Sequence, residues 1–144
     1  MSLDNLYRRV ILDHYRSPRN KGRVKGENVI GEGKNPSCGD DLVLSIRLEG
    51  DDLVAVGWEG EGCAICCASA SMLTKAIEGK RVDEALAWAE SVKALVRGEE
   101  PKEDLGEVEA LAGVAKFAVR VKCATLPWVA LGIALDGEGE ATTE

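Results

Sequence analysis

The sequence predicts an α+β domain: a small antiparallel β-sheet of about three strands with helices packed on one face. Three observations predict it. Leu42, Leu44, Ile46 and Leu48 alternate with Val43, Ser45 and Arg47, which is the period of a half-buried strand. A second alternating run, Leu53 to Glu59, follows across the turn Glu49-Gly50-Asp51-Asp52, so the two read as an antiparallel hairpin. Helical spacing brackets this hairpin on both sides, and strands followed by helices are the signature of α+β rather than of alternating βαβ units.

The elements follow in chain order. Leu3, Leu6, Tyr7, Val10, Ile11 and Tyr15 recur at helical spacing, so the chain opens with an amphipathic helix. Ser2 is placed to cap it and Ser17-Pro18-Arg19-Asn20 to end it. Lys21 to Lys34 is Gly-rich and polar, with room for a short strand near Val29 and Ile30. In the second strand of the hairpin, Val54, Val56 and Trp58 are expected on one face. Ala64 to Ile77 is small and apolar on all sides, which predicts a buried helix ending at Gly79. Val82 to Val96 is the third helix, with Asp83 and Glu84 at its start and Arg97-Gly98 at its end. A linker at Glu99 to Lys102 leads to a short helix around Leu105 to Leu111. Lys116 to Lys122 alternates apolar and basic residues, and Thr125 to Leu135 is the last helix, with Pro127 in its first turn. Residues 1–135 form one domain, and 136–144 are expected to be a mobile acidic tail.

Composition narrows the function. Eighteen basic residues against 25 acidic give a net charge of −7, the wrong sign for a nucleic-acid or anionic-membrane binder. Aromatic residues make only 4% of the chain, too few for base-stacking platforms. No secretory leader or membrane span is read, and five cysteines, an odd number, argue against a disulfide framework. A cytoplasmic location with reduced thiols is expected. No Walker loop and no GxGxxG after a strand is present, and Ser37, Ser69 and Ser71 have no evident histidine base. The single histidine, His14, reads as a partly exposed polar residue.

The chemistry lies in the cysteines. Cys38 sits in the turn Asn35-Pro36-Ser37-Cys38-Gly39-Asp40, Cys63 follows Gly60-Glu61-Gly62, and Cys123 follows Arg120-Val121-Lys122. Glycine-bearing loops let backbone amides turn toward a thiolate. Cys63 and Cys123 are both expected at helix N-termini, where the dipole favours the thiolate, and Arg120 and Lys122 are expected to lower the Cys123 pKa further. Asp40 stands two residues after Cys38 and can reach the same ion. The candidate metal set is therefore Cys38, Asp40, Cys63 and Cys123, suited to tetrahedral zinc or to an iron–sulfur centre. A carboxylate holds thiophilic iron less firmly than a fourth thiolate, which suits a carrier. Taken singly, a free cysteine reads as a small buried hydrophobe. Cys66 and Cys67 are read that way, although Cys63-Ala64-Ile65-Cys66 is formally a CxxC at a helix start.

These motifs, Asn35 to Asp40, Gly60 to Cys63 running into Ala68-Ser69-Ala70-Ser71-Met72, and Lys122-Cys123-Ala124, resemble the IscU/NifU-N/SufU family of iron–sulfur cluster assembly proteins. The chain is most similar to the SufU branch. Lys122 stands where the IscU branch has a histidine, the Leu-Pro-Pro-Val-Lys motif is missing, and Arg97 to Gly113 resembles the SufU insertion. The resemblance implies a SufE/NifU-like fold, and Cys38, Asp40, Cys63 and Cys123 as ligands of a resting zinc ion. It implies a transient [2Fe–2S] cluster or iron as cargo. It implies Cys38 as sulfur acceptor, assisted by Arg120 and Lys122, for a PLP-dependent, SufS-like cysteine desulfurase, alongside other Suf-type assembly proteins. The implied role is a scaffold or zinc-dependent sulfurtransfer partner rather than a stand-alone enzyme. Two alternatives from other classes stay open: a structural zinc-binding interaction module, and a dithiol oxidoreductase using Cys63 and Cys66.

Overall fold

A computed structural model describes residues 3–36, 38–136 and 141–142. The elements are α1 (Leu3–Arg16), β1 (Val29–Asn35), β2 (Asp40–Glu49), β3 (Asp52–Glu61), α2 (Ala64–Ile77), α3 (Val82–Val96), a run of 3-10 turns (Gly106–Lys116), α4 (Ala118–Asp136) and a two-residue strand β4 (Ala141–Thr142). The sheet order is β3-β2-β1-β4. β1, β2 and β3 pair antiparallel, and β4 adds in parallel at Gly33 and Lys34. α2 and α4 lie against the sheet, while α1, α3 and the 3-10 run pack on them from outside. The expected α+β architecture is the one observed. The cap read at Ser2 and the tail residues 137–140 and 143–144 lie outside the described residues.

β1 is a strand in spite of its glycines, and those glycines set the distance to α4. A Cβ on Gly31 would lie 2.6 Å from Ala134 Cβ and 2.8 Å from the Ala130 carbonyl oxygen. A Cβ on Gly33 would lie 3.1 Å from Leu126. The helix therefore rides directly on the strand backbone. α4 is apolar on all sides and long enough by composition to cross a membrane, yet it carries Arg120 and Lys122 and packs on β1, α2 and α3.

Several local expectations are corrected. The register between β2 and β3 shifts at Arg47/Leu48, where Ala55 faces Arg47 and Leu53 faces Leu48. Val54 is the extra residue of this bulge, so Leu53, Val56 and Trp58 are buried while Val54 is only half-buried. The short helix expected near Leu105 is a 3-10 run extending to Lys116. Leu105, Val108, Leu111 and Val114 are all buried at strict i, i+3 spacing, the repeat of a helix with three residues per turn. α4 begins at Ala118, not Thr125, so the alternating stretch before Cys123 is mostly its first turns. Pro127 is then an interior residue, which denies the Cys123 carbonyl its usual i+4 amide donor.

His14 is fully buried rather than partly exposed. Its Nδ1 is 2.8 Å from Ser71 Oγ and its Nε2 is 2.7 Å from Glu107 Oε1. The Arg19 amide donates to the same Ser71 oxygen at 2.8 Å, leaving the hydroxyl free to donate to Nδ1 and Nε2–H to donate to Glu107. Ser71 thus has a histidine partner after all. Both residues are wholly sealed from solvent, so the trio ties α1, α2 and the 3-10 run together and offers no access to a substrate.

The free edge of β3 is occupied by the segment after α1. Asn20 O accepts from Trp58 N at 3.1 Å and Gly22 N donates to Trp58 O at 2.6 Å. The segment crosses over Gly57, whose Cβ would sit 2.5 Å from the Gly22 carbonyl oxygen. Val24 N then donates to the buried Ser45 Oγ at 2.8 Å. This cover pairs the Trp58 backbone at the sheet edge.

The helix-on-glycine contact gives a paired prediction. Gly31→Ala should lose about 1–3 kcal/mol through overpacking. Gly132→Ala, on α4 with nothing within 4 Å of the new methyl, should gain roughly 0.5–1 kcal/mol in helix propensity. Chemical denaturation checks both, and an undiminished Gly31→Ala would mean that α4 does not ride on β1.

Candidate metal centre

Four elements deliver the cysteine and aspartate side chains to one place. The β1–β2 hairpin closes with Asn35 paired to Asp40, and Cys38 N donates to Asn35 O at 3.1 Å across the loop. Gly39 takes φ +72°, a conformation that a side chain disfavours. This turn presents Cys38 at its tip and Asp40 as the first residue of β2. β3 runs out through Gly62 to Cys63, the N-cap of α2. Cys123 comes from inside α4, its sixth residue.

Cys38, Asp40 and Cys123 bring one donor atom each to within 4.8 Å of one another. Cys63 is not a member of that triplet, but it borders it closely. Its backbone N–H donates to Asp40 Oδ1 at 2.8 Å, and it is near enough to Cys123 to raise that thiol's pKa. Its Sγ also accepts the Cys66 amide at 3.4 Å, which caps α2. Gly62 is small for a reason: a Cβ there would lie 2.7 Å from Asp40 Oδ1.

Asp40 is only 2% exposed, so its carboxylate must be satisfied from within. Oδ1 takes the Cys63 amide, and Oδ2 faces Asn35 Nδ2 at 3.4 Å. The same Nδ2 lies 3.7 Å from Cys123 Sγ. Asn35 is wholly buried, and its Oδ1 has no partner among the described residues. An orphaned acceptor beside a thiol–carboxylate cluster marks a place where a further group is missing from the protein's own bonding. The donor set is soft sulfur with one hard oxygen, which fits zinc or an iron–sulfur centre. Asn35 and Gly62 lie within the cysteine motifs of the sequence, but their contacts with Asp40 exist only once the hairpin and α2 meet.

The electrostatics differ from expectation at Cys123. It is fully buried and mid-helix, not at an N-terminus, so the helix dipole gives it no help. Burial pushes its thiol well above the usual cysteine range, and hydrogen bonds with Cys38, Asp40 and Cys63 raise it further. Burial outweighs the nearby positive charge. Arg120 lies close enough to the cluster to feel it: the neighbouring Cys63 and, less, Cys123 favour its charged form. Lys122 lies on the same helix and is exposed. Cys66 is 2% exposed and burial pushes its thiol up, in keeping with a core-filling residue. Cys67 is half-buried, with its thiol 3.7 Å from Gly62 O.

α4 is fixed opposite α2 by Ser69, whose hydroxyl donates to the Ala124 carbonyl at 2.6 Å and accepts Trp128 Nε1–H at 3.1 Å. Ser69 and Trp128 are fully buried. The contact sits one residue beyond Cys123, so it sets where that sulfur stands relative to Cys63.

The chain is similar to several known proteins. The NifU-like N terminal domain matches residues 6–124. The zinc-dependent sulfurtransferase SufU of Bacillus subtilis (strain 168) is 47% identical over 142 residues, covering 96% of each chain. The iron–sulfur cluster assembly scaffold protein IscU of Streptococcus pyogenes serotype M1 is 40% identical over 141 residues, covering 96% of this chain and 88% of that one. Among solved structures, one from Fervidobacterium islandicum AW-1, described as an iron–sulfur cluster assembly scaffold protein for the SUF system, superimposes with a TM-score of 0.85. It is 35% identical and covers 93% of this chain and 99% of that chain. By the span of the domain match and the identity to full-length relatives, the chain belongs to the NifU-like N-terminal domain family.

Proposed function

We propose that this protein accepts sulfur from a PLP-dependent cysteine desulfurase and serves iron–sulfur cluster assembly through a site made by Cys38, Asp40, Cys63 and Cys123. The observation that carries the reading is the convergence of two sulfurs and a buried carboxylate from separate elements within 4.8 Å, with a third cysteine at their border. The 47% identity to a zinc-dependent sulfurtransferase over nearly the whole length supports it. The likeness to IscU scaffolds supports the same site as a place where a [2Fe–2S] cluster is held as cargo.

Zinc bound there would supply the charge that keeps buried thiols deprotonated at neutral pH. The chain's own residues do the rest. Cys38 stands at the tip of a turn and is the most approachable of the triplet, since Asp40 and Cys123 are buried. Its thiolate attacks the outer sulfur of the desulfurase persulfide. A new S–S bond forms on Cys38, the old one breaks, and the electron pair leaves on the enzyme's cysteine. Arg120, near Cys63 and Cys123, offers positive charge to the anion during the exchange. Asn35 and the Cys63 amide hold the Asp40 carboxylate in place throughout.

The docking surface lies beside this site. Phe117 and Val119 are each 59% exposed and flank the start of α4, which carries Arg120 and Cys123. Large exposed apolar residues next to reacting groups suit a transient partner interface. The site's use of reduced sulfur supports a cytoplasmic location. A purely structural zinc module is disfavoured by the carboxylate, since structural sites are closed by cysteine and histidine.

Three outcomes test the reading. Cys38→Ala should keep stability within about 0.5 kcal/mol, as expected for a partly exposed turn residue, while abolishing stimulation of the desulfurase; full sulfur acceptance by that variant would remove Cys38 from the role. Asp40→Ala should hold a reconstituted cluster longer than the parent, because the weakest ligand is gone; faster loss, followed by visible absorbance, would contradict this. Phe117→Asp should leave the fold intact and raise the half-saturating concentration for desulfurase stimulation roughly tenfold, or about 1.4 kcal/mol of docking. An unchanged concentration dependence would place the interface elsewhere.

A further inference from the structure

Cys66 is a nucleophilic group that the scheme above does not use. It follows Cys63 by three residues in the first turn of α2, with Cys63 at the N-cap and the Cys66 amide donating to Cys63 Sγ at 3.4 Å. Cys63 has extended backbone as the N-cap and Cys66 is the third helical residue, the two positions whose side chains fold back toward each other in a capping box, so the Cys63 sulfur is already held over the turn that carries Cys66. All five cysteines are free thiols. Their exposures differ in a useful way. Cys63 is half-buried and open to a small reagent, whereas Cys66 is 2% exposed and is not. Cys67, one residue on, turns its thiol to the Gly62 carbonyl instead.

We infer that Cys63 and Cys66 form a redox pair, and that their oxidation to a disulfide withdraws the Cys63 sulfur from the candidate metal centre. The pair itself rests on the geometry of α2; its consequence for a bound metal rests on the function proposed above. The co-reactant is a low-molecular-weight disulfide. Cys63 attacks one of its sulfurs, the small S–S bond breaks, and one small thiol leaves with the electron pair and a proton. Cys66, a buried thiol, gives its proton to the departing sulfur as it attacks Cys63 Sγ in the mixed disulfide, and the second small thiol leaves. Two protein thiols are oxidised, one small disulfide is reduced to two thiols, and both protons leave on those thiols. Burial of Cys66 fixes the order, because only Cys63 can meet the reagent.

The test treats the anaerobically purified full-length protein with oxidised glutathione, traps free thiols by alkylation and maps linkages by tandem mass spectrometry. The zinc-loaded protein is run in parallel with a chromophoric chelator to follow release. The expected result is a Cys63–Cys66 link with Cys67 alkylated. Cys66→Ala should lose this link and accumulate one glutathione on Cys63, and Cys67→Ser should behave as the parent. A Cys63–Cys67 or Cys38–Cys123 link in the parent, or no intramolecular link, would overturn the pair. If the Cys63–Cys66 link forms while zinc stays bound, the pair stands, and both the withdrawal and Cys63 as a metal ligand are overturned.

Discussion

The site is organised around a carboxylate that has been taken out of water. Asp40 begins β2 at 2% exposure, and its two oxygens are committed in different directions. One accepts the amide that opens α2, and the other faces the side chain that ends β1. A buried carboxylate is costly unless such donors surround it, so the hairpin end and the start of α2 are held together by the need to satisfy it. The absence of a side chain at Gly62 makes the approach possible. Cys38 lies in the short loop between Asn35 and Asp40, and Cys63 supplies the fixed amide itself, so their positions follow.

The remaining cysteine depends on a different constraint. Cys123 is placed by α4, and α4 is placed by the bare backbone of β1 on one side and by Ser69 of α2 on the other. Neither contact resembles a motif. A polar, Gly-rich strand and a serine in an apolar helix are weak features in isolation, yet together they position a sulfur from the far end of the chain. Pro127 contributes by leaving the Cys123 carbonyl without its helical donor, a local loosening at the residue that must reach the cluster.

Elements with a clean repeat were legible in the sequence. α2 and α3 have the limits their composition predicts, and β2 follows its alternation. Expectation failed where another force outweighed the local pattern. β1 runs beyond the expected Val29 and Ile30 to Asn35, with glycines at 31 and 33 because α4 needs the room there. Val54 yields its inward place to Leu53 at a bulge. The alternation before Cys123 suggested extended chain, although α4 already begins at Ala118, and the 3-10 run follows a repeat of three rather than 3.6. At the site, the residue types were legible and their electrostatics were not. Arg120 was visible as a charge near Cys123, but burial, which the sequence does not display, governs that thiol. His14 shows the same blindness: its partners Ser71 and Glu107 are 57 and 93 residues away.

The most direct measurement is metal analysis with X-ray absorption at the zinc edge on protein purified without air. The account predicts one zinc per chain in a shell of three sulfurs near about 2.3 Å and one oxygen near about 2.0 Å. Protein that binds no metal, or a shell made only of nitrogen and oxygen, would contradict it.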